Sequence, residues 1–112
     1  MKYDTPRADI LNEAMEIVHK DRNANYGNPE DNFKQIAELW TAYKKQPFTS
    51  ADVAVMNMLI KVARLSTNPA HHDSAVDVAG YAACLGDIQA KLTHKKLVDV
   101  AQQLVDNGIE PF

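Results

Sequence analysis

The sequence predicts an all-α fold, a compact single-domain bundle of about five helices over residues 1–112, and three observations carry that reading. Pro6, Pro29, Pro47 and Pro69 recur about every twenty residues, each beside a helix-start signal. No stretch alternates apolar and polar residues as a half-buried strand would, and no Asn-Gly or Asp-Gly turn offers a hairpin. Apolar positions instead recur at helical spacing along most of the chain.

Thr5-Pro6 reads as N-cap and first helical residue of a helix over 7–20. Asn28-Pro29-Glu30-Asp31 repeats the device for a helix over 29–45, with acids placed against the positive end of the helix dipole. Its apolar face is expected to hold Phe33, Ile36, Leu39, Trp40 and Tyr43. Thr49-Ser50-Ala51-Asp52 caps a third helix over 50–66. A fourth is expected over 73–91, with Asp73 accepting its first amides and His71 and His72 in the preceding loop. A fifth, over 95–107, carries a stripe of Leu97, Ala101, Leu104 and Val105 suited to capping the core (7–92) or pairing with another subunit.

Composition narrows the function classes. Hydrophobic residues make up 46% and charged residues 24%, with a net charge of −3 and no basic run, so a nucleic-acid partner is not expected. The single cysteine, Cys84, cannot form an internal disulfide or a four-cysteine zinc site, which fits a reducing cytoplasm. No run is long and apolar enough for a membrane span, and the N-terminus has no signal-peptide core.

Helices 50–66 and 73–91 hold the chemistry. Both are apolar or small on most sides, the expectation for a buried, antiparallel central pair. The first has one polar stripe, Asn57-Lys61-Arg64, and the second has Asp73-Asp77-Gly80-Cys84-Asp87. A purely structural purpose is an internal salt-bridge network, because buried charges need partners. The functional alternative is a polar cleft in which Lys61 and Arg64 meet phosphate while Asp73 and Asp77 hold a metal or ribose hydroxyls. Gly80 would permit close approach. Arg22, Tyr26 and Asn32 are the expected rim, although Asn32 could equally satisfy a loop backbone group.

Asp21-Arg22-Asn23-Ala24-Asn25-Tyr26-Gly27, Pro29-Glu30-Asp31-Asn32-Phe33 with Leu39-Trp40, Lys61-Val62-Ala63-Arg64-Leu65, and Asp73 through Ala82 together resemble a family of small phage and prophage proteins of unknown function. The resemblance covers residues 10 to 88 and implies a cytoplasmic location in an infected or lysogenic bacterial host. The layout is more distantly similar to the MazG-like all-α nucleotide pyrophosphohydrolases, which hold magnesium with clustered acids. That similarity implies nucleotide handling or sequestration of a nucleotide signal. The departures are informative: Lys61 and Arg64 stand where acids would be wanted, which leaves Glu13, Glu38, Asp73 and Asp77 as the magnesium set of a divergent hydrolase. A third reading is a non-catalytic helical module that docks on a protein. An oligomer of identical chains is expected in each case. His19, His72-Asp73 and Asp99 supply the letters of the HD phosphohydrolases at poor intervals, and Cys84 has no histidine beside it for nucleophilic work.

Overall fold

The computed structural model describes residues 4–22 and 28–108, with Asp21 and Arg22 described by their backbone alone. Among them every regular element is helical: α1 (Pro6–Glu16), which runs on into a π-helical stretch (Ile17–Arg22), α2 (Pro29–Lys44), α3 (Ser50–Thr67) and α4 (His72–Asp106). Four helices therefore replace the five expected. Nothing between Gln89 and Lys96 breaks a helix, since neither glycine nor proline occurs there, so the two C-terminal segments fuse into one helix of 35 residues.

The cap signals act as their chemistry requires. Thr5 accepts the Ala8 amide with Pro6 opening α1, and Asn28 accepts the Glu30 amide with Pro29 opening α2. Thr49 and Asp52 form a reciprocal capping box at α3: the Asp52 amide donates to Thr49 Oγ1 at 3.1 Å, and the Thr49 amide to Asp52 Oδ2 at 2.9 Å. Thr49→Ala is expected to lower unfolding free energy by about 1 kcal/mol, read as a shifted urea midpoint at unchanged slope. At α4 the expectation fails. His71 is the cap, its Nδ1 accepting the Ser74 amide at 3.2 Å, and Asp73 lies exposed in the first turn. Helix α2 ends at Lys45, whose φ of 56° is the left-handed conformation usual for a helix C-terminus.

The core is small. Val18, Phe33, Ala37, Val53, Ala54, Cys84 and Ile88 are buried together, with Trp40, Phe48 and Tyr81 packed against them. Trp40 meets Phe48 edge-on, ring centres 5.8 Å apart, so it is a packing residue. The face of α2 that is buried centres on Phe33 and Ala37, which leaves Leu39 and Tyr43 exposed at 63% and 83%. An ion pair from Lys91 to Glu30 ties α4 to the start of α2, and its hydrogen bond and attraction raise the Lys91 ammonium above its ordinary pKa.

Helix α4 packs chiefly on α3 and also on α1, while α2 packs on α3. The four-residue turn 68–71 makes α3 and α4 an antiparallel hairpin, as expected. That pair is nevertheless not buried. Val53 and Ala54 of α3 are fully enclosed, but Val55, Met56, Leu59, Ile60 and Val62 are exposed. Beyond Ile88 every described residue of α4 except Ala101 is exposed, and the second half of the helix projects from the bundle. The radius of gyration is accordingly 18.0 Å, against about 13 Å for a typical compact chain of this length. Among the described residues no helix is long and apolar enough to cross a membrane.

Candidate functional site

The antiparallel α3–α4 register sets Lys61 beside Asp77. Lys61 lies about two turns before the end of α3 and Asp77 in the second turn of α4, and their Nζ and Oδ2 are 3.1 Å apart. The side chains keep 19% and 33% of their exposure. The pair is thus half-open to solvent and unlike the sealed internal network that the stripes could have formed. Asn57, one turn earlier on α3, spends its side-chain amide on the Val53 carbonyl at 2.9 Å. Arg64, one turn later, is exposed.

Asp77 also lines a cavity of about 50 Å³ with Ala14 and Ile17 from the first helical segment and Val76, Gly80, Tyr81 and Cys84 from α4. Its walls are largely apolar, and a space this size takes a water molecule or one oxygen of a ligand. The π-helical stretch begins at Ile17, on the wall itself. Widened turns of this kind often accompany functional sites. Gly80 is buried against Val18, but a Cβ there would lie 3.5 Å from Val18 Cγ2, an ordinary contact, so the packing does not require glycine. Gly80→Ala is expected to raise the unfolding free energy by about 0.5–1 kcal/mol, seen as a higher melting temperature.

The structure brings together only part of the expected site. Lys61 and Asp77 meet, and Arg64 and Asp73 flank them one turn away on their own helices. Asn32 is half-buried on α2, which contributes nothing to the Asp77 cavity. Tyr26 lies outside the described residues, and so does the Arg22 side chain. Glu13 is taken up by His72, whose Nε2 is 2.5 Å from Glu13 Oε2, a hydrogen bond that joins α1 to α4 and that sequence spacing did not signal. Glu38 instead lines a separate groove with Lys34, Phe48, Ile88 and Lys95.

The magnesium set is therefore not assembled. Among the described residues no three His, Cys, Asp or Glu side chains stand close enough to hold a metal ion, and the Asp77 carboxylate is engaged by Lys61. The donors among the described residues do not form the oxygen cluster that holds such a cation. The HD arrangement fails on distance, because Asp73 and Asp99 lie about 39 Å apart along one continuous helix. Cys84 is 1% exposed and belongs to the core.

Residues 9–89 match the family model DUF6378, described as a domain of unknown function. Among curated proteins the chain is similar to the Gene 55 protein of Mycobacterium phage D29, 45% identical over 76 residues, covering 68% of this chain and 50% of that protein. It is also similar to the Gene 55 protein of Mycobacterium phage L5, 47% identical over 81 residues, covering 71% and 52%. The chain spans about half the length of these relatives. No solved structure matches it.

Proposed function

The chain belongs to the DUF6378 family, a phage protein family of unknown function, and we propose that it binds a small phosphorylated nucleotide at the open edge of the α3–α4 hairpin. The observation that supports this reading is the half-exposed Lys61–Asp77 pair. A partly exposed pair contributes little to stability, and its ammonium can exchange the carboxylate for a phosphate oxygen. Arg64 follows Lys61 by one turn and adds a bidentate phosphate donor. Asp73, exposed at the start of α4, is suited to ribose hydroxyls.

The small cavity beside Asp77 has room for a phosphate or ribose oxygen, and the base would lie outside it. Binding without turnover would shift a nucleotide pool or sequester a nucleotide signal. The hydrolytic reading lacks an assembled metal-donor set among the described residues.

A thermal-shift screen against nucleoside mono-, di- and triphosphates, cyclic dinucleotides and ADP-ribose derivatives, with and without magnesium, tests the proposal. A nucleotide at a hundredfold excess over its Kd should add about 2.7 kcal/mol of stability and be recovered intact. No rise in melting temperature across the panel contradicts nucleotide binding, and recovery of cleaved product would replace binding by hydrolysis.

A further inference from the structure

Past Ile88 the long helix α4 leaves the bundle. Residues 89–106 stay helical, and all of them except Ala101 are exposed. An isolated helix of this length is marginal in water, because helices in proteins draw most of their stability from packing an apolar face. The projection also enlarges the surface. The chain exposes 8246 Å², where a compact monomer of 12.5 kDa exposes about 6,200 Å². The projecting segment carries much of this surplus of roughly 2,000 Å², against the ~800 Å² that each partner contributes to a standard interface.

The segment has the face of a pairing helix. At 100° per residue, Leu97, Val98, Leu104 and Val105 all lie within about 60° of Ala101, and His94 closes the stripe at the bundle end. Leu97, Ala101 and Leu104 keep the four-then-three spacing of a coiled-coil seam. The four large apolar side chains are 36–66% exposed. Every Lys and Asp of the segment lies about 80° or more from Ala101, so none interrupts the face. Their order along the helix is asymmetric: Lys91, Lys95 and Lys96 come first, then Asp99 and Asp106. Parallel pairing would set each lysine beside its own copy, whereas antiparallel pairing sets the basic end of one segment beside the acidic end of the other.

We infer that the projecting half of α4 pairs with the same segment of a second copy of this chain, antiparallel, about a two-fold axis at Ala101. Two-fold pairing requires a self-complementary patch. With Ala101 on the axis, Leu97 comes opposite Val105 of the second copy, Val98 opposite its Leu104, and His94 opposite its Gly108. Lys95 and Lys96 come level with its Asn107 and Asp106. The small Ala101 side chain lets the two backbones approach at the crossing. Each helix ends, at Asp106, level with Lys96 of the other copy and about 12 Å short of its Ile88, which leaves room for both bundles.

Sedimentation equilibrium of the full chain should return twice the single-chain mass of 12.5 kDa. Ala101→Glu should return the single-chain mass, with the fluorescence of the packed Trp40 unchanged. Ala101→Cys supplies an independent reading, because a residue on the axis faces its own copy and should form an intermolecular disulfide under mild oxidation. Leu97→Cys should not, since it faces Val105, and the wild-type chain should not, since Cys84 is buried. A wild-type mass of one chain, or a doubled mass that Ala101→Glu leaves unchanged, overturns the inference. So does an Ala101→Cys protein that stays uncrosslinked, or a Leu97→Cys protein that crosslinks as fully as Ala101→Cys. If Ala101→Glu alters the Trp40 fluorescence, the two cysteine variants decide.

Discussion

Phe33→Ala is expected to remove about 3–5 kcal/mol of stability, the largest effect of any single truncation in this chain. Phe33 is completely enclosed, it lies in the same cluster as Val53, Cys84 and Ile88, and its ring centre is 6.2 Å from that of Tyr81. Among the described residues it is the largest fully buried side chain, set where α2 meets the α3–α4 hairpin. The core has few other large members, so little is at hand to fill the space left behind. Urea unfolding followed at 222 nm should show the midpoint falling steeply. A loss below about 1 kcal/mol would mean that α2 is held elsewhere.

The second large effect concerns binding. Lys61→Gln is expected to weaken nucleotide binding by about 10–100-fold, the value of one charged hydrogen bond of roughly 1.5–3 kcal/mol. Stability should change far less, because a half-exposed ion pair contributes on the order of 1 kcal/mol. Asp77→Asn should leave the melting temperature nearly unchanged and keep or tighten binding, since it frees the Lys61 ammonium from a competing anion. If the pair were only a packing device, Lys61→Gln and Asp77→Asn would each cost up to about 1 kcal/mol of stability and neither would alter nucleotide binding. The two substitutions therefore separate a binding site from a packing device in titration calorimetry.

Much of this fold is legible in local chemistry. Thr5-Pro6, Asn28-Pro29 and the Thr49–Asp52 box each start a helix where their side-chain oxygens can accept its first amides. The pairing of Lys61 with Asp77 follows from two polar stripes on adjacent helices joined by a short turn. What periodicity does not reveal is which apolar side meets another element. The apolar arc of α3 is nearly uniform around the helix, so sequence alone reads it as buried all round, while the structure spends only the Val53–Ala54 side inside this chain. Leu39 and Tyr43 share the apolar stripe with Phe33 yet lie about 120° and 80° round the helix from it, on the side away from Ala37, and are exposed.

The C-terminal half of α4 shows the same limit in another form. The apolar stripe of Leu97, Ala101, Leu104 and Val105 is rotated about a quarter turn from the face that buries Val76, Gly80, Cys84 and Ile88. Such a change of stripe suggests a new helix, but a continuous run of helix formers keeps one rod and aims the second stripe away from the bundle. The His71 cap escaped notice for a different reason. Asp73 is the more usual acceptor, whereas the imidazole Nδ1 serves here because Ser74, fully buried, returns a contact to it at 2.6 Å.

The most direct test of the proposed binding edge is a nitrogen-15 amide spectrum of the protein titrated with each nucleotide of the screening panel. Binding at the hairpin edge predicts that the largest shifts fall on Lys61, Arg64, Asp73, Asp77 and Gly80, and that Lys61→Gln removes them. Shifts confined to the groove of Lys34, Phe48, Ile88 and Lys95, or none with any nucleotide, would contradict it.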